Sequence, residues 1–158
     1  MQKVSPEKAY QRAAARCARC ECCRHDLRQN LLRAGLDADE AEAVLDRLEQ
    51  EKFLDAARYV RAFVADKLRY ERWGRIKIRQ ALLQKQLPEA EIELALTDID
   101  EEEYIALLHE VIQKKIRSLG ATDDYTGRQK VARYAISRGF EPDKVFRAIN
   151  AEGWESEV

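Results

Sequence analysis

Three stretches of one sequence decide the fold: RHDLRQNLLRAGLDADEAEAVLDRL from Arg24 to Leu48, RIKIRQALLQKQLPEAEIELALTDI from Arg75 to Ile99, and RQKVARYAISRGFEPDKVFRAINAE from Arg128 to Glu152. They align without a gap. Arg24, Arg75 and Arg128 open the copies, followed by Leu27, Ile78 and Val131, then by Leu31, Leu82 and Ala135. Gly35, Gln86 and Gly139 share one position, with Leu36, Leu87 and Phe140 after it. The second halves repeat as Ala41, Val44, Leu45; Ile92, Ala95, Leu96; and Val145, Ala148, Ile149. Spacing of i, i+3, i+4 is one stripe of an α-helix. Each copy therefore reads as helix, tight turn, helix.

The local signals agree. Glycine at the turn suits a left-handed position after a helix end; Gln86 departs from it and predicts a strained or differently closed second turn. Asp37 with Glu40, and Asp100 with Glu103, have the spacing of capping boxes. Pro88 and Pro142 fit first helical positions. Cys23 stands where it can cap a helix before Asp26.

Working outward, the connecting stretches are helical too. Ser5 and Pro6 can start a helix with Tyr10, Ala13, Ala14 and Cys17 inward. Phe53, Ala56, Ala57, Val60 and Val64 form a second apolar face, and Ile105, Leu108, Ile112 and Ile116 a third. One linking helix then precedes every pair. The predicted fold is all-α: an elongated array of three tandem three-helix repeats, each helix-turn-helix-like, over residues 1–50, 51–99 and 100–158. Three helices bury little core alone, so neighbouring repeats should pack in a row.

Composition supports this reading. The chain has 158 residues, 46% of them hydrophobic, with only six glycines and three prolines to interrupt helices. No run reaches the roughly 20 apolar residues that a membrane span requires. Met1 to Ala9 lacks the apolar segment of a secretory signal, so the expected setting is the cytoplasm. Nothing demands a dimer, and a monomer is expected.

The net charge is −1, so the distribution carries the information. The first helix of each pair is basic: Arg24, Arg28 and Arg33; Arg75, Lys77, Arg79 and Lys85; Arg128, Lys130, Arg133 and Arg138. The second helix is acidic in the first two copies, with Asp39, Glu40, Glu42 and Asp46, then Glu89, Glu91 and Glu93. An acidic second helix opposes docking into the major groove, because phosphate attraction dominates affinity for DNA. The segment KLRYERWGRIK, Lys67 to Lys77, interleaves cations with Tyr70 and Trp73. Such a mixture suits a polyanion or an acidic protein surface. A core Trp73 ringed by solvated charges is the plainer alternative.

Catalytic chemistry is missing. His25 and His109 are far apart in sequence and near no nucleophile motif, and no glycine-rich phosphate loop occurs. The chain reads as a non-enzyme without a cofactor. Cys17, Cys20, Cys22 and Cys23 form CARCECC. Four thiolates are enough donors for zinc, but structural sites usually join two pairs across a loop. Buried or incidental thiols are the reading, with zinc and redox sensing as lesser alternatives.

These residues resemble the RecX family, bacterial regulators of the RecA recombinase, from about Lys8 to Asn150. The family opens its units with Ser-x-x-Glu-Leu, then leucine and glycine; Cys23, Asp26, Leu27, Leu31 and Gly35 follow that order, with Cys for Ser and Asp for Glu. The family hallmark of an apolar pair, two aspartates, x, arginine, an aromatic and alanine resembles Phe53 to Val60, with Ala56 in place of the second aspartate. Trp73, Gly74, Arg75 and Ile76 are similar to a downstream glycine–basic–isoleucine element, and Arg138, Gly139 and Phe140 to the family's closing turn. Clustered cysteines are not part of the family pattern.

The resemblance implies a protein of DNA repair, recombination and the SOS response. It would bind the RecA nucleoprotein filament, restrain recombinase activity, and bind DNA weakly without sequence preference. The expected contact residues are Arg58, Lys67, Arg69, Arg72, Trp73, Arg75, Lys77 and Arg79, helped by Arg28 and Arg33. The alternative is a general nucleic-acid-binding helical module with no RecA partner.

Overall fold

The computed structural model describes residues 3–120 and 123–151. The C-terminal end of the third expected repeat, from Glu152 on, lies outside the described residues, as do Met1 and Gln2. Nine α-helices and no strand occur among the described residues. They are α1 (Pro6–Arg19), α2 (Arg24–Arg33), α3 (Ala38–Gln50), α4 (Ala56–Asp66), α5 (Arg75–Gln84), α6 (Glu89–Thr97), α7 (Glu101–Leu119), α8 (Tyr125–Ser137) and α9 (Pro142–Ala151). A π-helical segment, Lys67–Glu71, continues α4.

By their internal packing the helices fall into two compact units. One comprises Met1–Phe63 with Leu82–Glu93, the other Val64–Ala81 with Leu94–Val158. In the first unit α3 packs on both α1 and α2. Its core joins Tyr10, Ala13 and Cys17 of α1, Leu27 and Leu31 of α2, and Ala41, Val44, Leu45 and Leu48 of α3. In the second unit α7, α8 and α9 pack on one another. Tyr104, Leu108, Ile112, Val131, Ala135, Phe140, Val145 and Ile149 are buried there. Each such large side chain contributes roughly 1.5–3 kcal/mol on leaving water.

The expected tight turn recurs three times with one hydrogen-bond pattern. Leu36, Leu87 and Phe140 donate their N–H to the carbonyls of Leu31, Leu82 and Ala135, at 3.2, 3.2 and 3.3 Å. Gly35, Gln86 and Gly139 donate to Leu32, Leu83 and Ile136, at 3.1, 3.0 and 2.9 Å. This is the Schellman closure of a helix. Gln86 does not change it. The residue takes φ 60°, beside 99° for Gly35 and 98° for Gly139, and accepts the steric strain that a Cβ brings there.

Several start signals hold and others shift. Ser5 caps α1 through the Lys8 N–H with Pro6 at the first turn, and Asp37 with Glu40 forms the reciprocal capping box of α3. Asp100 caps α7, but its side chain accepts from the Glu102 N–H and makes no box with Glu103. Pro142 is the first residue of α9, whereas Pro88 stands one residue before α6, and its carbonyl accepts the first helical bond from Ile92. Cys23 occupies the cap position of α2 without a side-chain capping bond, because a thiol is a weak acceptor. On α7 the inward stripe begins at Tyr104, fully buried, rather than at the half-buried Ile105.

Candidate functional site

The KLRYERWGRIK segment is where regular helix geometry gives way. From Lys67 the backbone widens into a π turn, a rare form often found at functional sites. The Trp73 N–H donates to the Lys67 carbonyl at 3.0 Å. Arg72 ends the turn in the left-handed conformation, φ 55°, and pairs with Glu110 at 3.3 Å. The widened turn brings residues on either side of it together. The ammonium groups of Lys67 and Lys77 lie 4.6 and 4.5 Å from the centre of the half-buried Trp73 ring. Trp73 is thus neither a plain core residue nor fully exposed: it fixes two cations over its face. Arg69 and Tyr70 project from the same turn, and Tyr70 is 79% exposed. Arg69 makes no ion pair among the described residues.

Two glycines anchor this turn within the second unit. Gly74 donates its N–H to the Arg138 carbonyl at 2.8 Å, and Ile76 donates to the Gly139 carbonyl at 3.0 Å. A Cβ on Gly74 would sit 2.4 Å from the Gly139 carbonyl, so only glycine lets the two backbones meet. The Arg138 guanidinium adds a hydrogen bond to the Glu71 carbonyl. The start of α5 is therefore held against the α8–α9 turn by backbone bonds.

The structure distributes the expected contact residues unevenly. Lys67, Arg69, Arg72, Trp73 and Lys77 come together around the π turn. Arg75 follows directly but turns inward. Only 14% of its side chain is exposed; it bonds the Leu96 carbonyl at 3.3 Å, Glu101 at 2.8 Å and Glu141 at 3.1 Å, and stacks 4.0 Å over Tyr104. The Tyr104 hydroxyl in turn donates to Glu141 and accepts from the Arg75 N–H at 3.0 Å. Burial, then that bond to Glu141, pushes the Tyr104 phenol well above its ordinary value. Lys144 and then Arg75 hold the Glu101 carboxyl below the usual carboxylate range. Arg79 is half-buried on α5.

Arg28, Arg33 and Arg58 belong to the first unit. Arg58 bonds Glu21 at 2.5 Å and the carbonyls of Lys52 and Phe53 at 3.1 and 3.3 Å, fastening the loop that precedes α4. Asp55 caps that helix through the Arg58 N–H at 2.9 Å. Arg28 pairs with Glu42 at 2.6 Å, and Arg24 reaches Glu42, Asp46 and Glu49. Arg28 and then Arg24 lower the Glu42 carboxyl. The basic face of α2 is largely spent on the acidic face of α3. Arg33 is exposed and has no ion pair among the described residues.

Sequence reading missed a further set of cations on α7. Lys114 and Arg117 lie on the exposed side of α7, and the half-buried Lys115 flanks the apolar stripe of Ile112 and Ile116. Lys114 and Arg117 are exposed and make no ion pair among the described residues, and Lys115 lies 4.3 Å over the Tyr134 ring. Their signal was the run IQKKIRS, outside the aligned copies and so passed over.

The cysteines stay as thiols in different settings. Cys17, Cys22 and Cys23 are buried and Cys20 is exposed. Burial, then the neighbouring Cys17, pushes the Cys22 thiol up to about 12. Among the described residues no group of three or more histidines, cysteines or carboxylates has the arrangement of a metal site. No described helix is long and apolar enough to cross a membrane.

Comparison with known proteins closes the question of kinship. The second three-helix domain of RecX matches residues 55–96 and the third matches residues 101–149. The chain is 36% identical over 132 residues to a regulatory protein RecX of Clostridium botulinum, covering 80% of this chain and 61% of that one. It is 33% identical over 140 residues to a regulatory protein RecX of Pseudomonas fluorescens, covering 87% of each. It thus spans less than two thirds of the clostridial relative and most of the pseudomonad one. A crystal structure of regulatory protein RecX superposes with a TM-score of 0.79 at 22% identity, covering 93% of this chain and 74% of that one. The RecX structure from Lactobacillus salivarius gives 0.79 at 15% identity, covering 92% and 94%, and these two agree in fold. With two of its domains matched and a relative of this similarity along most of its length, the chain belongs to the RecX family.

Proposed function

We propose that this protein binds the RecA–DNA filament in the cytoplasm and restrains recombinase activity, as a non-enzymatic regulator of recombination and repair acting as a monomer. The observation that carries this reading is the cation-bearing π turn: Lys67 and Lys77 fixed over Trp73, with Arg69, Arg72 and Tyr70 beside them. A filament of protein on DNA offers carboxylates and phosphates, and preorganised cations meet either with less loss of side-chain freedom. Three three-helix repeats, over residues 1–50, 51–99 and 100–158, are the units we assign to this role.

Lys67, Arg69, Arg72, Trp73, Lys77 and Arg79 are the contact residues under this reading. Arg28, Arg58 and Arg75 already hold carboxylates or carbonyls, so a partner has to compete for them. The test is inhibition of RecA-driven ATP hydrolysis and strand exchange on single-stranded DNA. Reversing charge at Lys67, Arg69 and Lys77 together should weaken inhibition at least about tenfold, the effect of losing roughly 1.4 kcal/mol of binding, with helicity kept. Unchanged inhibition would remove the π turn from the interface. Arg75 is left out of the set because its loss disturbs the fold.

A further inference from the structure

The CARCECC cluster takes no part in the contact set proposed above, yet its thiols meet where α1 gives way to α2, within the first unit. Cys17 is buried on α1 and Cys22 in the loop after it, and both belong to the core of that unit. Cys20 ends α1 in an extended conformation, φ −151° and ψ 154°, with its side chain exposed. Its thiol donates to the Arg16 carbonyl at 3.6 Å, and the Cys22 thiol donates to the Cys20 carbonyl at 3.7 Å. Residues two apart in extended chain share a face. The Cys22 sulfur accordingly interacts with the thiols of both Cys20 and Cys17.

Access divides these thiols. Cys20 is open to water, whereas Cys17, Cys22 and Cys23 are buried. Burial pushes the Cys17 thiol up, and the Cys22 thiol up to about 12, so both stay protonated and shielded from an oxidant in water. An accessible thiol with a second one beside it is the arrangement in which oxidation ends in a disulfide. Glu21 lies between the two. One of its carboxylate oxygens holds Arg58 at 2.5 Å, while Oε2 is buried with no hydrogen-bond partner among the described residues. An unpaired buried acceptor costs free energy, so the loop is already short of one bond where it meets Arg58.

We propose that Cys20 and Cys22 form a peroxide-responsive pair, in which Cys20 meets the oxidant and Cys22 closes a disulfide across Glu21. The Cys20 thiolate takes one oxygen of hydrogen peroxide; the O–O bond breaks, the sulfur is oxidised to a sulfenic acid and the peroxide is reduced to water. The Cys22 sulfur then attacks the Cys20 sulfur. The S–S bond forms, the S–O bond breaks, and the hydroxyl leaves with the Cys22 proton as a second water. Two thiols and one peroxide thus give one disulfide and two waters. Closing that ring turns the Glu21 side chain, and Arg58 loses the carboxylate that helps it fasten the loop before α4. The pair does not depend on the filament reading, because its chemistry lies within this chain.

The experiment exposes the reduced full chain to hydrogen peroxide at neutral pH, without RecA. Free thiols are then blocked and the linked residues identified by peptide mass spectrometry after cleavage at Glu21. Wild-type protein should lose two of its four thiols, carry a Cys20–Cys22 link, and regain both thiols with dithiothreitol. Cys20→Ser, at an exposed position, should keep all its remaining thiols. Cys22→Ala keeps the core apolar and should stop at a sulfenic acid on Cys20 that dimedone traps. Amide exchange over residues 52–58 should rise in the oxidised protein and fall back on reduction. Four free thiols in the treated wild-type protein overturn the proposal. So does a link between Cys22 and Cys17 or Cys23, or equal loss of thiols in Cys20→Ser. Unchanged exchange over residues 52–58 in the disulfide form overturns the effect on Arg58.

Discussion

The α2–α3 turn of the first unit and the α8–α9 turn of the second receive the chain in the same way but at different closeness. At the first, Val4 donates its N–H to the Ala34 carbonyl at 3.2 Å. At the second, Gly74 donates to the Arg138 carbonyl at 2.8 Å. Ala34 and Arg138 are equivalent positions, one before the turn glycine. In both units, then, the segment that starts another helix is pinned to the end of an existing one. A Cβ on Gly35 would meet the Lys3 Cα at 3.2 Å, a contact that a shift of a few tenths of an ångström relieves. A Cβ on Gly139 would meet the Lys77 backbone nitrogen at 2.7 Å and its Cβ at 2.3 Å. Glycine is needed at the first turn for its dihedral and at the second for its dihedral and its volume.

This contrast is open to direct attack. Gly74→Ala and Gly139→Ala should cost most, about 3 kcal/mol each, because backbone cannot give way as a side chain does. Denaturant unfolding followed by helicity, with hydrogen exchange read separately for α7–α9 and α1–α3, should place the loss in the second unit. A cost near zero for Gly74→Ala would mean that the close backbone contact is not maintained in solution.

Arg75→Ala should come next, at about 2 kcal/mol, since it removes the cation from the partly buried Glu141 and from the face of the Tyr104 ring. Thermal melts of the variant against Arg75→Lys would sharpen the point. Lysine keeps the charge but lacks the fork that reaches Glu101, Glu141 and a carbonyl together.

Gly35→Ala should cost less, about 1 kcal/mol, the strain of a left-handed alanine without a backbone clash. If it proves as costly as Gly139→Ala, the two turns differ in appearance only. Smallest of all, Gln86→Gly should raise stability by about 0.5 kcal/mol, relieving the strain at φ 60° while loosening the unfolded chain. A loss in the same melt would show that the Gln86 side chain makes a contact of its own.

Much of this was legible in advance. The aligned apolar stripes placed Leu27, Val44, Val131 and Val145 in cores, and the turn positions Gly35 and Gly139 gave their dihedral away. Local capping was readable where a short polar side chain reaches its own helix, as at Ser5 and Asp37. The candidate site was harder. Arg75 and Arg58 look like surface cations in a list of charges, yet each is committed to carboxylates or carbonyls of its own unit. Arg28 is spent on Glu42 in the same manner. Which arginine stays available is set by what stands opposite it, and a linear pattern does not record that.

The sequence by itself determined the helices, their threefold recurrence and the turns that close them, because periodicity, caps and left-handed positions are properties of neighbours along the chain. Tertiary structure alone decided that a π turn would gather Lys67, Trp73 and Lys77, that Gly74 would lie on the backbone of Gly139, and that Lys114 would face the same cleft as Arg72. The last two join residues tens of positions apart, and the first needs a local widening of the helix; in each, exclusion of volume and pairing of charge act through space.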